Sequence, residues 1–253
     1  MYSDLFFNQI HLMVKACSTV GSFSAHFDTK GRFFYSTEKS RRKFHITIVI
    51  MSGYVAFLWI QTYKVWVYHG GEKNLHFHTA YGFSGILFMC VGILVSLLQN
   101  HDNVINGTNH ILNYFPYFRK SWIPYSKTIQ KYSRLLDIMV FVEVSGTLIC
   151  PISSTIFFVY SPDNPIHPRY GIPNVYGLQD NLVMIGISLI FVTWSACVCW
   201  YALMLFIVFG TTYLICKSVH VTNLLWRHFN VRHFGYNLSP NCSNNSFEVL
   251  SCL

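Results

Sequence analysis

The stretch VEVSGTLICPISSTIFF, Val142 to Phe158, places a carboxylate (Glu143) and a proline (Pro151) inside an otherwise apolar run. A helix on a soluble domain shows a polar face at every turn. Here the apolar character extends in both directions, over Leu135–Tyr160, with Asp137 and Glu143 the only charged residues. Three more windows have the same texture: Phe44–Tyr68, Phe77–Leu98 and Leu182–Cys216. Each reaches or exceeds the ~20 residues that a helix needs to cross the hydrocarbon of a bilayer. Lipid, not water, is the solvent that reconciles these windows. Glu143, ~9 Å deeper than Asp137 at 1.5 Å per residue, should then face the bundle interior or water. Pro151 removes a backbone hydrogen bond and is expected to kink the span, with Ser153, Ser154 and Thr155 at hand to satisfy the freed groups.

Composition agrees. Charged residues make up 11% of the 253 residues and aromatic residues 17%, where soluble domains carry about 25% charge. The net charge of +8 does not point to nucleic acid, because the basic residues do not form one contiguous stripe. If the segment before the first window is cytoplasmic and sides alternate, fifteen of the eighteen lysines and arginines fall inside. Only Lys73 and Arg169 fall outside, with Lys64 in the first window. That partition sets orientation. The expected architecture is an all-α, multi-pass transmembrane bundle of about four spans with both termini cytoplasmic.

The expected order is a cytoplasmic segment over 1–43, spans over 44–68 and 77–98, and a cytoplasmic loop over 99–134. A third span over 135–160, a proline-rich extracellular loop over 161–181, a long fourth span over 182–216 and a cytoplasmic tail over 217–253 follow. Leu5, Phe6, Ile10, Met13, Val14 and Cys17 recur at helical spacing, which fits either an amphipathic helix at the membrane interface or a packed cytoplasmic helix. Asp4 interrupts what would otherwise be the apolar part of a signal peptide. DTKGR, between aromatic runs, reads as the turn of a small hairpin. Gly85 and Gly92 share a helical face, and with Gly82 and Ser84 they are small enough to admit a close neighbour. The four prolines over 161–181 predict a stiff, extended lid with little helix. The last window would be ~52 Å long as one helix, and one long helix fits it better than a hairpin.

Motifs for chemistry are scarce. The eight cysteines form no CxxC pair and none lies in an outer loop, so they read as buried small hydrophobes. His69, His76 and His78 cluster near one loop, but interface histidines without a metal are the simpler reading. The third and fourth windows lack histidine, which counts against a two-haem membrane oxidoreductase. No phosphate loop, HExxH or nucleophile–base pair is found. The expectation is therefore a non-enzyme with no cofactor and no metal. Asn106-Gly-Thr108 matches a glycosylation sequon on what is read as the inner side.

The order of these features resembles one family. A basic Ser40-Arg-Arg-Lys43 step enters the first span, and a short outer loop follows. A basic inner segment then leads into YSRLLDIMVFVEVSGTLICPISSTIFFVYSPDNP (Tyr132–Pro165), a proline-rich loop and an overlong fourth helix. This arrangement is similar to the first four helices of arthropod gustatory and odorant receptors. The resemblance implies a plasma-membrane, chemosensory protein, the ligand-sensing half of a ligand-gated cation channel that assembles as an oligomer. It implies a small-molecule pocket in the outer half of the bundle, which by position nominates Phe83, Ser84, Ser154, Phe157, Phe191 and Trp194. The family's pore-lining seventh helix has no counterpart in this sequence. The chain is thus expected to be a truncated product or partial gene model that does not conduct alone. A tetraspan structural or adaptor protein is the alternative reading.

Overall fold

The structure, a computed structural model, describes residues 4–68, 70–122, 127–161, 164–172 and 175–233. Side chains over 114–137, at 139, 143, 148, 175–176, 178 and 208–209, and over 211–233 lie outside that description. The chain is mostly helical: α1 (Asp4–Val20), α2 (Glu38–Tyr68), α3 (Leu75–Gln99), α4 (His101–Trp122), α5 (Lys127–Tyr160) and α6 (Leu182–His233). A two-stranded antiparallel hairpin, β1 (Ala25–Asp28) and β2 (Phe33–Ser36), lies between α1 and α2. Two compact units divide between Phe209 and Gly210. Over its described residues the second is helix alone.

Four helices are long and apolar enough to span a bilayer: Glu38–Tyr68, Leu75–Gln99, Val140–Tyr160 and Leu182–Ile207. Their local signals are explicit. Thr37 and Ser40 exchange backbone-to-hydroxyl bonds of 3.2 Å in each direction, a capping box that starts α2 six residues before its apolar window. Asn74 caps α3 by accepting from the His76 N–H at 2.9 Å. Residues 101–122, expected as part of a loop, form α4. The bounds of α6 leave no hairpin within Leu182–Cys216.

Two hydrophobic clusters hold the first unit together. One lies between α2, α3 and α6 around Phe44, Met51, Leu58, Leu94 and Val198. There the buried Thr62 and Ser84 hydroxyls meet at 3.2 Å across α2 and α3. The other joins α1 and the hairpin to α4, α5 and α6 through Phe7, Val14, Phe27, Leu112, Val144 and Leu205. The apolar face of α1 is therefore packed against protein. Its end is wedged against the spans: Trp194 Nε1 donates to the Val20 carbonyl at 3.2 Å, and Lys43 Nζ donates to the carbonyls of Ser18 and Thr19. Gly21 closes the helix with φ +85°, beside Thr47 of α2. A Cβ there would overlap Thr47 Oγ1, so both conformation and space call for glycine.

The hairpin turn is held by the Asp28 carboxylate, which accepts from the N–H groups of Lys30 (3.1 Å) and Gly31 (3.0 Å). Asn109 of α4 then clamps β2, accepting from Phe34 N–H and donating to Phe34 C=O at 2.6 and 2.8 Å. The amide acts as a one-residue third strand.

Two expectations are corrected. Among the described residues Gly82, Gly85 and Gly92 do not bring α3 close to another helix, since a Cβ on any of them would meet nothing within 4 Å. The small residue at the α2 contact is Ser84. The proline-rich loop is also not an extended lid. It folds through 3-10 turns at Pro168–Gly171 and Val175–Asp180 and buries Asn164, Ile166, His167 and Arg169.

Candidate functional site

Between α5 and α6 lies a groove of about 570 Å³, open along one side. Its α5 wall is Pro151, Ile152, Thr155, Ile156 and Val159, with Tyr160 at the end; its α6 wall is Thr193, Cys197 and Tyr201. The spacing explains the shape. Residues four apart share a helix face, so 151, 155 and 159 face 193, 197 and 201 as two stripes. The volume suits a small organic molecule.

Pro151 cannot donate to the carbonyl four residues back, that of Thr147. The hydroxyls after it brace other carbonyls: Ser153 and Ser154 donate to Cys150 C=O at 2.8 and 3.2 Å, and Thr155 to Pro151 C=O at 2.8 Å. They support the turn that contains the proline. Across the groove, Thr155 Oγ1 and Thr193 Oγ1 stand 3.3 Å apart, and Thr193 also reaches Leu189 C=O at 2.8 Å. The pair has three contacts and only two hydroxyl protons, since each threonine donates once and accepts twice. The threonine oxygens thus keep acceptor capacity on an otherwise apolar wall. Tyr201 is buried and hydrogen-bonded to Cys197.

The residues nominated from the sequence fall elsewhere. Phe83 packs on Phe157 and Phe158, with ring centroids at 5.5 and 5.2 Å, and Ser84 is engaged by Thr62 and by Ala80 C=O. Phe191 meets Tyr54 edge-on at 5.0 Å, while Trp194 packs on Phe191 and donates to Val20. Ser154 accepts from Trp200 Nε1 at 2.9 Å, tying α5 to α6 behind the groove. Phe83 and Phe157 are thus brought together, as are Phe191 and Trp194, and none of the six lines the groove. Pro151 does line it. Glu143 lies in α5, and its side chain is outside the described residues. The sequence signal for the groove was the Thr193, Cys197, Tyr201 repeat facing Thr155, four residues after the proline.

The end of the bundle nearest Tyr160 is closed by the loop. Tyr54 donates to the Ile166 carbonyl at 3.2 Å and Gln61 to that of Tyr170 at 3.4 Å. His167 Nε2 donates to Ser161 C=O at 3.1 Å, and its ring stands edge-on to Phe158. Arg169 lies over Tyr170 and bonds the Gln179 carbonyl.

Among the described residues no three His, Cys, Asp or Glu side chains gather as metal ligands. His78 Nε2 donates to Glu72 C=O at 2.8 Å, and His69 is outside the described residues.

Protein-family models, curated proteins and solved structures yield no match to this chain. What the groove can do follows from its chemistry. It offers apolar walls, hydroxyl acceptors on both sides and an opening along one side, with no charge among its lining residues.

Proposed function

We propose that this chain is a chemosensory-receptor-like membrane protein whose α5–α6 groove takes a small, largely apolar molecule bearing a hydroxyl group. The observation that carries the reading is the pairing of an open apolar groove with the under-donated Thr155–Thr193 pair. A ligand hydroxyl supplies the missing donor, and its hydrocarbon part covers Ile152, Ile156 and Val159. A buried hydrogen bond of this kind adds about 1 kcal/mol, and burying apolar surface adds roughly 25 cal/mol per Å². Binding that widens the groove favours whichever bundle conformation has it wide, which is how a ligand shifts a membrane receptor's equilibrium. Support also comes from the resemblance described above, which puts ligand sensing in the helices near the proline-rich loop. The same reading assigns the protein to the plasma membrane, with its basic flanks in the cytoplasm, as part of an oligomeric receptor.

The test uses a photoreactive diazirine derivative of octan-1-ol on the reconstituted full chain. Crosslinks should concentrate on the segments carrying Ile152–Val159 and Thr193–Cys197, and excess octan-1-ol should remove them. Thr193→Trp fills the groove and should abolish them without changing the thermal transition. Labelling spread over all lipid-facing helices, without competition, rejects the proposal.

A further inference from the structure

The groove lies among apolar residues, whereas a second cleft among the described residues is more polar and sits at the first turns of α2. Lys39, Arg41, Arg42 and Lys43 occupy the first turns of α2 and are all exposed. Phe44 and Leu98 are the terminal residues of two apolar windows, so this level is where headgroups meet hydrocarbon. There α2 faces the corner between α3 and α4. A cleft of about 360 Å³ opens, lined by Arg41 and His45 of α2 and by residues 98–103 at the α3–α4 corner, the Asp102 carboxylate included.

Charge is left over at this corner. The first turns of α2 carry these four cations and one carboxylate, Glu38, and the cleft lining adds one more carboxylate, Asp102. Arg41 Nη2 contacts Asp102 Oδ1 at 2.9 Å and His101 Nδ1 at 3.1 Å. A guanidinium has five N–H donors, and the contacts described for Arg41 use only Nη2. Lys43 is engaged by the carbonyls at the end of α1. Lys39 and Arg42 have no acidic partner within 4.0 Å among the described residues. Leu98 gives the cleft an apolar floor continuous with α3, which suits a ligand with a charged head and a hydrocarbon tail.

We propose that this cleft binds the phosphate headgroup of an anionic phospholipid. Arg41 supplies the charge in the cleft and Arg42, exposed at the next position of α2, adds charge beside it; the side-chain amides of Gln99 and Asn103 are the neutral donors, and the acyl chains run down α3 past Leu98. A basic cluster beside a membrane span is where such headgroups gather, and the guanidinium fork suits phosphate oxygens. The site is independent of the α5–α6 groove.

The experiment measures lipid retention on the full chain, by native mass spectrometry, after extraction from nanodiscs holding equal phosphatidic acid and phosphatidylcholine. Phosphatidic acid should be retained in preference. Arg41→Gln/Arg42→Gln should lower its retention roughly tenfold or more, and raised salt should do the same in the wild type. Lys15→Gln/Lys30→Gln, which removes two exposed cations elsewhere, should leave it unchanged. Should the arginine variant fail to fold, Asn103→Asp places a negative charge in the cleft without touching the Arg41–Asp102 pair, and should also lower retention. Equal retention of the two lipids, or equal loss in the lysine control, overturns the proposal. Complete displacement by millimolar glycerol phosphate also overturns it, since the ligand would then be a free phosphate.

Discussion

Cys17 ends the buried face of α1 with no exposed surface. Burial pushes its thiol up to about 12, against a smaller opposing effect of the Ser22 hydrogen bond. A neutral thiol is a poor nucleophile, so maleimide at pH 8.5 should leave Cys17 unmodified in the folded chain and modify it in dodecyl sulfate, as read by peptide mass. Asp102 is shifted the other way. The His101 hydrogen bond, and then the Arg41 charge, hold its carboxyl below the usual range despite an opposing desolvation effect. A depressed folded pKa stabilises the protein above the unfolded value, near 4, and that stabilisation is lost as pH falls through the folded value. Asp102→Asn should therefore lower the melting temperature relative to wild type at pH 7, with the gap narrowing as the pH drops below about 4. A gap that widens on acidification contradicts the pairing. The effect will be small, because Asp102 is exposed and solvent screens it.

Among the elements, those set by hydropathy were legible and those set by tertiary contact were not. The four spans appear as apolar windows because nothing but lipid accommodates them, and DTKGR marked the hairpin because Asp28 can close its own turn. Residues 101–122 hid as a helix since their asparagines and glycine favour turns, while Ile105 and Leu112 are buried only in a tertiary cluster with α1, the hairpin, α5 and α6. The proline-rich loop looked extended for a related reason. Its burial depends on Tyr54 and Gln61, more than a hundred residues earlier in the chain. Of the nominated aromatic residues, Phe83, Phe191 and Trp194 are half-buried against the core and Phe157 is exposed, and spacing does not distinguish a ring that lines a cavity from one that packs. At this scale Asn109 has the clearest test. Asn109→Ala removes both bonds to Phe34 and should destabilise the hairpin by about 1–3 kcal/mol. Hydrogen exchange at Phe34 and His26 should rise while that of α3 stays fixed; unchanged exchange would show the clamp to be dispensable.

Among the described residues of the whole molecule, the apolar helices differ in how much of their surface the chain itself covers. Only 22% of α3's most apolar stretch and 25% of α5's are buried, against 44% for α2. Orientation has a direct test. An impermeant maleimide should label Ile172→Cys in intact cells above the wild-type background, and Lys30→Cys only after permeabilisation; the reverse pattern would invert the assignment. The loop between α5 and α6 has one more consequence. Helix α2 hydrogen-bonds it through main-chain oxygens, those of Ile166 and Tyr170, and takes the Ile166 side chain into its core cluster. The polar part of its mooring thus does not read the Tyr170 side chain: the carbonyl survives an exchange there, whereas losing the Tyr54 hydroxyl or the Gln61 amide removes a bond. Such a capstone can be recarved on its exposed face while the stone beneath stays put.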